Sequence, residues 1–344
     1  MKRLFSLLLA LVACASFCSC KKKATLHLYF WADYISPELI EQFERENNCR
    51  IVYDTFDTNE ALLAKLEAGA TGYDIINPSH YVVDAMRKNN LLQPIDHTKL
   101  EFLDDLDMDL LKGIPDEKFE YSIPYMMSYT GIGYNKQVLK DFKPNWTMFE
   151  RTDLQKRATL LDDKHETIGA ALLHLGRNPN STSPEDLAAA KAQIKKWMQN
   201  ITKFENEQYK NGIASGEFYL VMGYSGDMMQ VVNENPDLVG FAIPEEGTLI
   251  SADMLCIPAQ APNTELAYRF INFLYKTEHA VKNIEHVCFL CPVKSAYPLL
   301  PQEVQEDPAV FLKPEVREKS AYALDLGEGE KLFNDLWAEI KAGR

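Results

Sequence analysis

A chain of 344 residues with 46% hydrophobic and 25% charged residues is long enough for two ordinary domains and too polar for a membrane-embedded transporter. Its formal net charge of −14 comes without a basic stripe, which argues against nucleic acid as a partner and leaves a cationic small ligand as the better match. An aromatic content of 11% with abundant Val, Ile and Leu is inconsistent with wholesale disorder.

Met1-Lys2-Arg3 followed by the apolar run from Leu4 to Val12 has the form of a secretory signal, too short to span a bilayer. Cys14, Cys18 and Cys20 come next, and a cysteine after a signal core resembles the lipobox of bacterial lipoproteins. Cys14 has the better flanks, Leu11 and Ala13. Cys20, flanked by Phe17 and Ser19, gives a more usual signal length, and Cys18 is the poorest of the three. We take 1–19 as the signal and Cys20 as the lipidated residue, with Cys14 as the alternative. A diacylated cysteine gives stable membrane anchoring. Loss of Lys2 and Arg3 leaves 34 basic against 50 acidic residues, a net charge of −16. Cys49, Cys256, Cys288 and Cys291 remain. They are too few for a disulfide scaffold, and the Cys288/Cys291 spacing reads as packing cysteines or an incidental disulfide, since a metal would need a second pair.

Thr25–Phe30 reads as a strand ending at Trp31, and Ser36-Pro37 opens a helix with Ser at the N-cap and Pro in the first turn. Arg50–Tyr53 is a second strand, Asn59–Ala68 a helix stopped by Gly69, Asp74–Ile76 a third short strand, and Tyr81–Asn89 a helix. This alternation predicts an α/β layer with a parallel sheet, whose ligands sit beyond the carboxyl ends of the strands. The segments at that edge are 31–34, 57–59 and 78–81. Ser122–Asn135, with Gly131 and Gly133, reads as a long strand through a tight place between two lobes.

A second set follows: a strand over Ala158–Asp162, helices over Glu166–Leu175 and Pro184–Met198 with Ser183 as cap, and a strand over Phe218–Gly223. Asp253–Pro258 reads as the return strand, followed by helices over Asn263–Tyr275 and Thr277–Val287 and a wrapped, proline-rich stretch over Pro292–Pro314. A final helix, Lys331–Lys341, is expected to bury Leu332, Phe333, Leu336, Trp337 and Ile340. Together these predict two lobes, one of 24–132 plus 254–305 and the other of 133–253 plus 306–344.

Several segments carry a resemblance. YFWADYISPELIEQF (29–43), YDIINPSHYVVDAM (73–86), YSIPY (121–125), TGIGYN (130–135), LDD (161–163), PEEG (244–247) and DMLCIP (253–258) are similar, in order, to the spermidine- and putrescine-binding proteins of bacterial ABC importers. The resemblance implies a two-lobed periplasmic-binding-protein fold of type II. It also implies a receptor in the periplasmic space that captures a polyamine and delivers it to an ABC permease, here lipid-anchored to a bacterial membrane. No cofactor or metal is implied. The catalytic motifs G-x-S-x-G, H-E-x-x-H and the P-loop are absent from the sequence, and an enzyme is not expected. A solute-binding protein for another ligand (a cationic amino acid, Fe³⁺ or a sugar) is the alternative.

Polyamines are thin alkyl chains bearing ammonium groups, so their site needs carboxylates for the charges and aromatic walls for the methylenes. By the resemblance Trp31 and Tyr34 wall the pocket and Asp33 faces an ammonium. Ser79 offers a hydroxyl or backbone acceptor and Tyr81 a further wall. Asp163 and Glu166, three apart, share a face if a helix starts there and clamp one end or the inner amine, with Asp162 as the alternative to Asp163. Asp227 holds a terminal ammonium, with Tyr224 in place of a tryptophan. Asp253 is the carboxylate of the return strand, and Phe289 is an aromatic near the ligand. Read singly, Trp31 could be packing, Asp33 a turn cap and Asp227 a helix-start carboxylate. Ser251 and Gly223 stand where the spermidine-binding branch has tryptophans, Ala32 replaces a hydroxyl residue, and Ala323 aligns with a family glutamine. The missing tryptophans leave either a roomier pocket or one filled by other side chains.

Overall fold

The computed structural model describes residues 23–154 and 156–343. The signal segment and the candidate anchors Cys14, Cys18 and Cys20 lie outside the described residues. The first lobe opens with β1 (Ala24–Phe30), α1 (Pro37–Asn47), β2 (Cys49–Thr55), α2 (Asn59–Glu67), β3 (Ile75–Ile76) and α3 (His80–Lys88). β1 pairs in parallel with β2 on one side and β3 on the other. Leu26, Leu28 and Phe30, which alternate onto one face of β1, are sealed, while Thr25 and His27 on the other face are only half-buried. Ser36 takes the N-cap position of α1 and Pro37 its first turn, yet the Ser36 hydroxyl makes no capping bond; its backbone N–H donates to Asn283 instead.

β4 (Ile123–Asn135) then runs out of this lobe. Its first half pairs antiparallel with β9 (Leu249–Leu255), and its second half, from Thr130, pairs with β7 (Leu220–Tyr224) and β8 (Val239–Ala242). The glycine pair in β4 lets Phe241 and Met228 lie directly over the backbone.

The second lobe is built from β5 (Ala158–Leu160), α4 (Lys164–His174), α5 (Pro184–Trp197), β6 (Ile201–Phe204), α6 (Gln208–Ala214), β7, α7 (Ser225–Glu234) and β8. β5 is parallel to both β6 and β7. Ser183 caps α5 through the amide of Asp186. After β9 come α8 (Thr264–Leu274), α9 (Thr277–Val287), one-turn helices at Gln302–Gln305 and Pro314–Arg317, β10 (Ala321–Tyr322) and α10 (Glu330–Ala342).

Among the described residues two large apolar cores form, with a small third cluster of Leu173, Leu249 and Ala323. The second centres on Trp146, Phe149 and Trp197, all fully buried, and truncating such a residue costs roughly 3–5 kcal/mol. The cores divide the chain differently from the expected boundaries. Ile250, Ala252 and Met254 of β9 pack in the first core, and so do Val310 and Tyr322. The return crossing therefore falls near Leu249, and the C-terminal stretch joins the second core only with Leu326 and α10. The reason is pairing: β9 lies along the first-lobe half of β4, and Cys256 exchanges both backbone bonds with Ile76 of β3. On α10, Phe333, Leu336 and Ile340 are buried while Leu332 is 44% exposed and Trp337 packs only at the edge. Leu332 lies one residue off the 3-4 spacing that faces the core. Cys288 and Cys291 are free thiols, Cys288 with a left-handed backbone at the end of α9 and Cys291 buried.

Candidate ligand-binding cleft

Six parallel strands end on one cavity. β1 delivers 31–34, β2 delivers 56–60, and β3 delivers Ser79 and Tyr81 from the first lobe. β5 delivers 162–166, β6 delivers Asn206, Glu207 and Lys210, and β7 delivers Tyr224 and Asp227 from the second. The carboxyl ends of parallel strands are where α/β sheets open their crevices. The cleft between the lobes measures about 450 Å³. All the residues singled out from the sequence line it: Trp31, Asp33, Tyr34, Ser79, Tyr81, Asp163, Glu166, Tyr224, Asp227, Asp253 and Phe289.

At its floor Asp253 is buried beside β4, opposite Met126. Tyr34 donates its hydroxyl to one carboxylate oxygen, and Ser79 Oγ donates to the other at 2.7 Å. Burial pushes its pKa up to about 6, against the pull of these two hydroxyls. The Trp31 indole N–H leans toward Asp253 and favours its charged form, yet makes no hydrogen bond and is buried without a partner. The Tyr34 phenol is pushed up by burial and by Asp253 beside it, so it remains a donor.

Glu166 is the second buried carboxyl. Its Oε2 accepts from Thr130 Oγ1 at 2.5 Å, and burial together with the Asp163 charge raises its pKa. Asp163 does not share a helical face with Glu166; it is the N-cap of α4, its Oδ1 accepting from the Glu166 N–H at 3.0 Å. The helix starts two residues earlier than the sequence pattern suggests, because an aspartate ahead of the first turn satisfies a free amide. Asp162, the alternative, also lines the cleft but is engaged by Lys341 Nζ at 2.7 Å.

Aromatic rings wall the space. Trp31 packs on Phe56 with centroids 4.4 Å apart, Tyr34 on Phe289 at 5.4 Å, and Tyr81 on His165 at 5.2 Å. Tyr81 is fixed by Asn59, which donates to its hydroxyl oxygen at 2.8 Å. Asp33 is exposed at the mouth, in a left-handed turn with φ of 54°. Asp227 is at once a first-turn carboxylate of α7 and a cleft residue. Gly223 decides how the space of a missing tryptophan is used. A Cβ there would stand 2.7 Å from Tyr209 Cε2, so the glycine admits the buried Tyr209 ring, whose hydroxyl donates to Asp227 at 2.6 Å. Ser251 lines the cleft, whereas Ala323 is packed away from it with Leu173 and Leu249.

Phe56, Glu60, Glu207 and Lys210 line the cleft without having been expected there, and Trp337, expected in the core, stands at its edge. The 57–59 segment at the end of β2 was the available signal for the first two; the others come from a strand and helices whose short patterns gave none. Nine carboxylates and two lysines, Lys164 and Lys210, line the cleft. Lys164 stands 3.5 Å from Glu60 across the cleft and 3.5 Å from Glu330 on its own side. Among the described residues no three His, Cys, Asp or Glu side chains are grouped to hold a metal ion, and no helix is long and apolar enough to cross a membrane.

A family model for bacterial extracellular solute-binding proteins matches residues 38–312. The chain belongs to this family. Its solute-binding relatives include the putrescine-binding periplasmic protein PotF of Escherichia coli K12, 34% identical over 94% of this chain and 93% of that one. The spermidine/putrescine ABC transporter substrate-binding protein PotD from Streptococcus pneumoniae superimposes with a TM-score of 0.83 at 30% identity, covering 93% of this chain and 99% of that one. The Tp0655 (TpPotD) lipoprotein of Treponema pallidum does so with a TM-score of 0.84 at 30% identity, covering 92% and 99%. The two-lobed architecture expected from the sequence is that of these solute-binding proteins.

Proposed function

We propose that this solute-binding protein is the polyamine receptor of an ABC importer, taking putrescine or spermidine into the interlobe cleft and presenting the closed form to a permease. One observation carries the reading. Asp253, buried among aromatic walls, has both oxygens held by neutral hydroxyls, and no lysine or arginine of the described residues pairs with it. A buried carboxylate without a counter-ion is waiting for a cation, and the rings beside it suit methylenes. Trp31, Tyr34, Tyr81, Tyr224 and Phe289 would wall the alkyl chain. Asp253 would hold one ammonium, Glu166 and Asp163 the inner or second amine, and Asp227 the far end, with Asp33 at the mouth. The names of the relatives support the same ligand class.

A cationic amino acid fits less well. Its carboxylate would enter a space lined by nine carboxylates, where both lysines already stand beside acidic groups. Contacts from both lobes would give the ligand its higher affinity for the closed form, which is what drives closure. The protein acts here as a receptor and not as an enzyme. Calorimetric titration of refolded, ligand-stripped protein with putrescine, spermidine, spermine and arginine tests this. Micromolar or tighter polyamine binding with arginine silent is expected, about −8 kcal/mol at 1 μM. A folded protein giving no heat with any polyamine sinks the reading.

Proton release is a second expected result. Glu166 holds its proton more tightly than an ordinary carboxyl, and an arriving ammonium favours the charged form, so its pKa falls on binding. At pH 7 binding should release a proton, seen as a dependence of the observed heat on buffer ionisation enthalpy. Glu166→Gln should remove most of that dependence.

The location we propose is periplasmic, with Cys20 carrying the lipid anchor. Cys20→Ala should abolish acylation and release the protein from the membrane fraction; retained acylation would move the anchor to Cys14.

A further inference from the structure

The two lobes answer their carboxylates differently. Asp253 accepts from two hydroxyls and has no charged partner among the described residues. Asp227 is held by two successive residues of α6: Tyr209 donates to Oδ2 at 2.6 Å, and Lys210 Nζ stands 3.5 Å from Oδ1. Glu207, one turn before Lys210, also lines the cleft and feels both charges. The Lys210 and Asp227 side chains are 31% and 23% exposed, within reach of a ligand. The cleft's other lysine, Lys164, ties Glu60 to Glu330 at the lips. Lys210 is thus an ammonium supplied by the chain at the very end where a second or third ligand ammonium would arrive.

We propose that Lys210 is a specificity-determining residue that takes the place of one ligand ammonium at the Asp227–Glu207 end, so that the cleft prefers diamines to triamines and tetraamines. The inference rests on the polyamine reading above. With Lys210 charged, Asp227 and Glu207 together present one net negative charge, enough for a single ammonium. Without it they present two. Lys210 is tethered, so it holds its place without the translational entropy that a free cation loses on binding. A further ammonium brought to this end lies a few ångströms from Lys210 Nζ. Like-charge repulsion at such a distance, at an effective dielectric constant near 20, costs about tenfold or more in affinity.

Titration of the purified wild type, Lys210→Gln and Lys210→Arg with putrescine, spermidine and spermine at one fixed ionic strength tests this. Lys210→Gln should improve spermidine and spermine relative to putrescine by about tenfold, and Lys210→Arg should keep the wild-type ratio. Lys210→Met, which retains the apolar stem, serves if the glutamine variant melts early. Polyamine binding with an unchanged ratio in the neutral variants, or a uniform loss for all three ligands, overturns this proposal alone. A wild type that binds no polyamine overturns the receptor reading and the inference with it.

Discussion

Asp253→Asn should weaken putrescine binding about 100-fold while making the empty protein more stable. The loss of affinity follows from removing a buried carboxylate of the cleft that no cation of the described residues neutralises; an ammonium brought there would be desolvated without a partner, at a cost of about 3 kcal/mol. The gain in stability follows from the pKa of about 6 that burial imposes on Asp253. The folded protein binds this proton more tightly than the unfolded chain, whose carboxyl titrates near 4. The stabilising, protonated form is therefore fully present below about pH 4, and its contribution is lost as pH rises through about 6. At pH 7.5 asparagine avoids that loss, on the order of 1–3 kcal/mol, visible as a raised melting temperature of the unliganded variant. For the wild type the same proton competes with the ligand, so affinity should fall as pH drops through about 6. Unchanged affinity in Asp253→Asn would remove Asp253 from the site, and an unchanged or lowered melting temperature would refute its cost to the empty fold.

Trp31→Ala should weaken binding by about 10- to 100-fold through loss of the broad wall beside Asp253. Trp31 is held against Phe56, and its backbone carbonyl accepts from the Tyr53 hydroxyl at 2.7 Å, so the ring position is set before any ligand arrives. A preset ring binds without the entropy of ordering it. Trp146 and Trp197 lie in the second core, which leaves Trp31 and the cleft-edge Trp337 as the tryptophans that a ligand can report on. Ligand should therefore change the fluorescence of the wild type, and Trp31→Phe should lose most of that change while still binding. Normal affinity in Trp31→Ala together with an unaltered fluorescence response would make Trp31 a packing residue of the first lobe.

Trp31, Ser79 and Tyr81 were legible because each follows an apolar strand, long in β1 and only two residues in β3, and the carboxyl end of a parallel strand has a fixed relation to the crevice. Asp163 lines the cleft but caps α4 instead of sharing a helical face with Glu166. A boundary of one turn cannot be read where an aspartate is equally good as cap and as first-turn residue. Leu332 looked like core because it is apolar and adjacent to Phe333; only the orientation of α10 against the second lobe decides which stripe is covered.

Local chemistry by itself determined the α/β class, the crossing strand with its glycine pair, and the acidic and aromatic composition of the strand ends. These are short-range properties: hydrophobic period, caps, turn residues and charge. The tertiary structure alone decided that β9 belongs with the first core, that Tyr209 fills the room left by Gly223, and that Lys210 reaches Asp227 while Asp253 meets only neutral donors. Those facts depend on which side chains come from distant parts of the chain to face one another. In the low dielectric of a closed cleft it is that pairing, more than the identity of any one residue, that sets the charge a ligand meets.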